Sequence, residues 1–250
     1  MFRVTPVKGD SYVVNTNHIL SLKKTGTGKI VNLSISEYFK KLNETPEACK
    51  KLKGWRTNVE FDFKQVSVEP YFLGLWLGDG DSDRPAFTLN DDDIEIVEYL
   101  KQYVNNKGLI FQIDELPDKY ATRYRIVSQV GKGRSSNNAL LNDLRRLNVI
   151  KNKHIPFEYK TNDRSVRMNL LAGLLDTDGY LGPKSSGYEI VTKFPALAKD
   201  ILFLARSLGF AAYASEKIVR MNGKKLRYDR ILISGEISLI PTRLKRRQAK

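Results

Sequence analysis

The sequence predicts an α+β fold built from two copies of one unit, and three observations carry that expectation. The stretch YFLGLWLGDGD, Tyr71 to Asp81, returns as LLAGLLDTDGY, Leu170 to Tyr180, with Asp79-Gly80 and Asp178-Gly179 at an offset of 178 − 79 = 99. Leu73-Gly74-Leu75 keeps the same offset to Ala172-Gly173-Leu174. After each copy a helical pattern (DDDIEIVEYLKQYV, then FPALAKDILFLARSL) gives way, past a glycine, to a β-rich segment (TRYRIVSQV, then YDRILISGE). Each half therefore reads as helix, strands, helix, strands and helix.

Glycine inside a helix costs about 1 kcal/mol relative to alanine, so a repeated one calls for a reason. Gly74 and Gly78 share a helix face, and Ala172 with Gly173 gives the second copy a similar small-residue surface. The two repeat helices are expected to cross at less than the usual spacing of about 8–10 Å, on a pseudo-twofold axis. Asp79 and Asp178 would then emerge side by side from the two C-terminal ends. That placement is electrostatically costly, because a helix C-terminus already carries partial negative charge and like carboxylates repel. A hard divalent cation resolves the conflict, since it takes carboxylate oxygens together with the unpaired carbonyls of a helix end. A lone Asp-Gly after an apolar helix is an ordinary polar stop; two at matched positions in a basic protein point to a site. The acids of NDDDIEIVEYL, by contrast, read as a helix N-terminus capped by Asn90 or Asp91.

With 42 Lys and Arg against 28 Asp and Glu, the net charge is +14, which implies a polyanionic partner, nucleic acid before any other. No apolar run approaches the roughly 20 residues of a membrane span. MFRVTPVKGD has no signal-peptide core, so the protein is expected to be soluble and intracellular, with no membrane partner. A single cysteine, Cys49, excludes an intramolecular disulfide framework and a cysteine-rich zinc site. From Glu216 to Lys250 there are eleven Lys or Arg against three acids. Within that span KIVRMNGKKLRYDRILIS alternates basic and apolar residues around an Asn-Gly turn, so Arg220, Lys224, Arg227 and Arg230 are expected to face DNA. Arg123 and Arg125 are their first-half counterparts, and a merely solvated basic strand is the plain alternative.

LAGLLDTDG and FLGLWLGDG resemble the signature of the LAGLIDADG homing endonucleases, in particular intein-encoded members such as those of vacuolar-ATPase inteins. The second copy departs from the signature at Leu175 and Thr177; the first has Leu77 and Gly78 where an acid and alanine are usual, and keeps Asp79. The resemblance covers about Val66 to Lys250. It implies two pseudo-symmetric αββαββα subdomains in one chain, residues 63–162 and 163–250, with helices packed behind saddle-shaped antiparallel sheets that lie in the DNA major groove. It implies a monomer that cuts both strands of a long asymmetric duplex site in genomic DNA, in the nucleus if the host is eukaryotic. Asp79 and Asp178, with Gly78 and Thr177, would hold Mg2+, two or three ions in all; Mn2+ would substitute, and Ca2+ would support binding without cleavage. Lys153, in KNKHIPFEYK, matches the basic residue beside the scissile phosphate. Lys245 is chosen as its second-half counterpart over Arg243 and Lys250. Asp81 and Asp83 would lie around the metal, and Tyr180 would pack at the groove edge.

Residues 1–62 resemble part of an intein splicing domain. His18 matches its histidine, while Asn15 stands where threonine is usual. The chain has no N-terminal Cys or Ser and ends RRQAK, so protein splicing is not expected of it. Two other functions compete with cleavage: a non-cleaving DNA-binding relative, and a group I intron maturase that binds RNA.

Overall fold

The computed structural model describes residues 1–114, 121–129, 138–182, 185–221 and 223–249. Two units divide after Thr57. In the first, β1 (Phe2–Val4) pairs antiparallel with β2 (Tyr12–Val14), and β3 (Ile19–Lys24) lies between β4 (Ile30–Ser34) and β5 (Leu52–Lys53). The tight β3–β4 turn places Gly26 and Gly28 at φ 92° and 69°, backbone that L side chains rarely adopt. Ser34 ends β4 and starts α1 (Ile35–Glu44) through a reciprocal cap: its hydroxyl accepts from Glu37 N–H at 3.2 Å, and the Glu37 carboxylate accepts from Ser34 N–H at 2.7 Å. Val14, Leu20 and Ile35 form a small core here, and Cys49 is buried in the short α2 (Pro46–Lys50) as a free thiol.

The second unit begins with a segment the sequence grouped with the extension. Val59 is held by Arg167, a fully buried arginine whose guanidinium also bonds Ser207 and Asn162 and stacks over Phe61. Next come α3 (Pro70–Asp79), β6 (Ala86–Asn90), α4 (Ile94–Asn106), β7 (Leu109–Asp114), β8 (Ala121–Ser128), α5 (Ala139–Arg146) and α6 (Phe157–Lys160). The second half follows as α7 (Arg164–Thr177), β9 (Gly179–Leu181), β10 (Gly187–Thr192), α8 (Pro195–Ser207), β11 (Ala211–Met221) and β12 (Lys224–Ser234). Two antiparallel sheets result, in the orders β6-β8-β7 and β11-β12-β10-β9. The fold is α+β, as expected.

Two details depart from the expected pattern. The counterpart of β9 in the first half shrinks to a single bridge between Gly80 and Phe87. The last helix of the second half is replaced by two 3-10 turns, Ile237–Leu239 and Lys245–Arg247. Pro241 removes one donor there, and the N–H groups of Arg243 and Leu244 are taken by a carboxylate rather than by carbonyls one turn back. The cap of α4 also falls later than read: Asn90 still belongs to β6 and accepts from Asp92 N–H, leaving Asp93 at the N-cap position.

α3 and α7 organise this unit. Tyr71 to Leu77 are all buried, as are Leu170 to Asp176, so both helices are enclosed all round rather than amphipathic. They meet through glycine. A Cβ on Gly74 would fall 2.2 Å from Leu170 O, and one on Gly173 would fall 2.2 Å from Tyr71 O, with the two glycine Cα atoms facing each other. Gly78 meets Thr177 in the same way, its Cβ position 2.0 Å from Thr177 Oγ1. Both contacts keep the repeat offset, which is what a pseudo-twofold crossing requires. The obstacle at Gly74 is backbone on an enclosed helix, so it cannot swing aside. Gly74→Ala is expected to lose about 1–3 kcal/mol of stability in urea denaturation. Gly54→Ala, with nothing within 4 Å, serves as the neutral comparison. Equal stability of Gly74→Ala and parent would mean that the helices do not touch there.

Candidate active site

The crossing of α3 and α7 ends with Asp79 as the last residue of one helix and Asp178 as the C-cap of the other. Among the described residues neither carboxylate accepts a hydrogen bond, in contrast with the buried Asp93 and Asp176, which accept two and three. Burial, then repulsion from Asp79, pushes the Asp178 carboxyl up to about 6, with Lys153 and Arg247 opposing. Asp79 keeps solvent access, yet the protein crowded around it raises its pKa too, against the pull of Lys153.

Lys153 lies beneath this pair. It is 4% exposed, and its Nζ donates to Gly78 O at 2.8 Å and Gly80 O at 2.7 Å while lying over the Trp76 and Phe194 rings. The ammonium thus caps the carbonyl end of α3. Burial draws its pKa down to about 8, with Asp178 and Asp79 holding it up. The loop that delivers it is strained: Asn148 and Lys151 both adopt φ 55°, and Lys151 N–H bonds Ser82 O at 2.6 Å. Thr177 turns its hydroxyl back onto Gly173 O and Leu174 O, both at 3.1 Å, leaving its own carbonyl as its contribution to a cation site.

The C-terminal segment leaves Lys245, the residue chosen on sequence, exposed. Asp176, 1% exposed, accepts from Tyr71 Oη at 2.7 Å, Arg243 N–H at 2.7 Å and Leu244 N–H at 3.2 Å, and so ties the C-terminal segment to the end of α7. In that fixed register Arg243 stacks over Tyr71 and Tyr99, and Arg246 pairs with Asp93. Lys245 is exposed and shows no contact with the paired carboxylates. Within this segment Arg247 is the cation whose charge, like that of Lys153, reaches both Asp79 and Asp178. Its Nε is shut off from solvent with no hydrogen-bond partner among the described residues, and burial first, then Arg246, lowers its pKa. Lys250 lies outside the described residues. No spacing in TRLKRRQAK ranks its cations; the register is set by Asp176, a contact 67 residues away in sequence. Lys193, which acts on Lys153 and lies over Phe194, is a second cation that the sequence reading passed over.

Asp81 and Asp83 are paired with Arg123 and Arg84, not free beside the carboxylates. Arg123 and Arg125 share the face of β8 opposite the buried Tyr124 and Ile126, and Arg125 donates to Asp114 at 2.8 Å. The four cations of the second sheet do not share one face. Met221 pairs with Lys224, so even residues of β12 stand beside odd residues of β11. Arg230 therefore lies on the face away from buried Ile231 and Ile233, beside Ser215, while Arg220 and Arg227 lie on the other face of the hairpin. The side chain of Lys224 and residue Asn222 of the expected turn lie outside the described residues. Tyr180, 61% exposed, shares the outer face with Glu189, Lys217 and Arg230.

Raised carboxyl pKa values mean that ionisation opposes folding: the contribution of Asp178 is fully favourable below its unfolded pKa and is lost as pH rises through about 6. In EDTA, the stability of Asp178→Asn relative to parent is expected to improve by about 1 kcal/mol between pH 5 and pH 8. Urea melts at the two pH values check this, and a constant difference would contradict the paired-carboxylate electrostatics.

Residues 165–240 match the family model of the LAGLIDADG-like domain. A replicative DNA helicase DnaB of Mycobacterium intracellulare is 34% identical over 157 residues, covering 63% of this chain and 22% of that protein. The homothallic switching endonuclease of Saccharomyces cerevisiae is 29% identical over 185 residues, 64% of this chain and 31% of that one. The catalytic polypeptide of the V-type proton ATPase of Candida tropicalis is 27% identical over 200 residues, 64% and 18% respectively. The chain thus spans about a third or less of the length of these relatives. Among solved structures, I-DmoI in complex with DNA and Mn aligns over 66% of this chain and 88% of that one, with TM-score 0.46 and 16% identity. Among the described residues no helix is long and apolar enough to cross a membrane. The second copy of the duplicated motif, at the end of α7, lies inside the matched region, so residues 165–240 are similar to a LAGLIDADG-like domain.

Proposed function

We propose that this chain cuts both strands of duplex DNA at a long, asymmetric site by metal-dependent phosphodiester hydrolysis, acting as a monomer whose two αββαββα halves carry saddle-shaped sheets along the major groove. The observation that carries the reading is the pair Asp79 and Asp178: two carboxylates without hydrogen-bond partners among the described residues, brought together at two helix C-termini where the charge of Asp79 raises the cost of ionising Asp178. Such a pair fits a hard divalent cation, Mg2+ foremost. Among the described residues no group of three or more His, Cys, Asp or Glu is placed to hold a metal, so the protein's donors would be these two carboxylates and the Gly78 and Thr177 carbonyls. Gly78 O already accepts from Lys153 and keeps one lone pair for a cation. A bound divalent ion supplies Lewis-acid activation of water and of the phosphate.

The chain's own groups do the rest. Asp79 and Asp178 fix where positive charge collects, each serving one strand. Lys153, near neutrality in pKa and locked by two carbonyls, holds a proton or a positive charge beside one scissile phosphate. Arg247, whose charge acts on both carboxylates, does so beside the other. Arg123, Arg125 and Arg230 face the DNA from the outer sheet faces, and Arg220, Arg227 and Lys224 belong to the hairpin that extends past β10. One segment that aligns with parts of a helicase, an ATPase and an endonuclease behaves as a transferable module, which supports an intein-type origin and genomic DNA as the target.

Selection of cut sites from a randomised duplex library in Mg2+ tests this reading. Site-specific double-strand cuts are expected, with Ca2+ giving binding without cleavage. Asp79→Asn, Asp178→Asn, Lys153→Met and Arg247→Met should each slow cleavage by about 10²–10³-fold with binding retained, whereas Lys245→Met should stay within about threefold of parent. Specific binding with no cuts would make the protein a non-cleaving relative, and selective capture of intron RNA would make it a maturase.

A further inference from the structure

Half of the +14 charge surplus lies on the first 57 of 250 residues, where Lys and Arg outnumber Asp and Glu by 11 to 4, yet nothing in the proposed cleavage site uses this unit. Its cations are not spread evenly. Lys23 of β3 pairs directly with Lys53 of β5, so two ammonium groups stand opposite each other on one sheet face. Like charges directly opposite are destabilising, and neither lysine has a carboxylate partner among the described residues. Two residues along the same face, Trp55 is 41% exposed with its Nε1–H fixed on Ser21 Oγ at 3.2 Å, leaving an open ring face held in place. The β3–β4 turn passes alongside, with Gly28 next to the Lys23 side chain. Together these groups line a cleft of about 290 Å³.

We infer that this cleft is a phosphate-binding site for duplex DNA, separate from the cleavage centre, in which Lys23 and Lys53 share one backbone phosphate and the Trp55 ring packs against the adjoining deoxyribose. A phosphodiester supplies the negative charge that the cross-strand lysine pair lacks, and a sugar offers the apolar surface that a fixed indole face covers. A free inorganic anion would satisfy the lysines and leave the ring bare. An anionic membrane would call for a broader apolar face than one indole. The site acts by tethering: once one unit holds DNA, the other meets the same molecule at high effective concentration, which raises affinity with no change in the chemistry. The inference rests on the second unit engaging duplex DNA.

The test uses the full chain in Ca2+, titrated with duplex carrying its selected site over a range of salt. Lys23→Gln/Lys53→Gln should lower the slope of log affinity against log salt by about 1, because one neutralised phosphate is lost. The doubly substituted Lys8→Gln/Lys40→Gln protein, with equal charge removed elsewhere on the unit, should keep the parental slope. Trp55→Ala should weaken binding about fivefold at unchanged slope. The protein has two tryptophans, and Trp76 is fully buried, so fluorescence quenching by DNA should vanish in Trp55→Phe. In Mg2+ the cleavage rate of fully bound DNA should match parent in every variant. A parental slope in Lys23→Gln/Lys53→Gln, or the same drop in the control, overturns the inference while leaving the endonuclease reading intact. Failure of the unaltered protein to bind duplex sinks the endonuclease reading, and this inference with it.

Discussion

The backbone contact between Gly74 and Gly173 is the constraint from which the rest of the second unit follows. Side chains at that crossing would hold the helices apart, and the C-terminal ends of α3 and α7 would diverge before reaching Asp79 and Asp178. With glycine on both sides, Gly78 reaches Thr177 one turn later, and the carboxylates are delivered by geometry rather than by any attraction between them. Their mutual repulsion, the two helix dipoles and the surrounding apolar core all act against ionisation. A site built this way is destabilised until positive charge arrives. Lys153 supplies some of it, and its two carbonyl acceptors show that it answers the helix end before it answers the carboxylates.

The two halves divide the work unequally. At the position of Asp176 the first copy has Leu77, so only α7 ends with a second acid. That acid is spent on structure: its three donors come from Tyr71 on the partner helix and from the backbone of the C-terminal segment. An apolar residue there would strand two backbone N–H groups in a buried place, at a cost of about 1–3 kcal/mol each. The final helix expected by symmetry is absent for the same reason, since the N–H groups that would build it are already committed. Asp176 therefore replaces a helix with a fixed irregular strap, and the strap brings Arg247 inward while it leaves Lys245 in solvent.

What could be read from the sequence was periodic or repeated. The offset of 99 exposed the duplication, the glycines exposed the crossing, and the paired Asp-Gly ends exposed the acidic pair, because each is a local pattern with a physical cause. Lys153 was reachable through resemblance alone, since a lysine in KNKHIP has nothing in its own spacing to mark it as buried. Arg247 and the cap at Asp93 were not legible: both depend on contacts between residues far apart in sequence, Asp176 with Arg243 and Asp93 with Arg246. The hairpin cations were misassigned to one face by a single step of register. A turn that pairs Met221 with Lys224 exchanges odd and even residues between strands, and sequence alternation alone does not carry that exchange.

The arginines of the outer faces are mostly engaged already, Arg123 with Asp81, Arg125 with Asp114 and Arg230 with Ser215. On the DNA-cleaving reading this separates two tasks. An arginine held by a carboxylate or hydroxyl has lost its rotamer freedom before DNA arrives, so it can present its fork to a base edge at little further entropic cost. An arginine held by a carboxylate, as Arg123 and Arg125 are, contributes little to counterion release, because its charge is partly neutralised within the protein. Affinity must then come from cations with no internal partner, and the pair Lys23 and Lys53 is of that kind. The acidic partners of the first sheet would make DNA held there more dependent on fit and less on charge, and mismatched sites would be rejected where the arginines gain nothing by leaving their carboxylates.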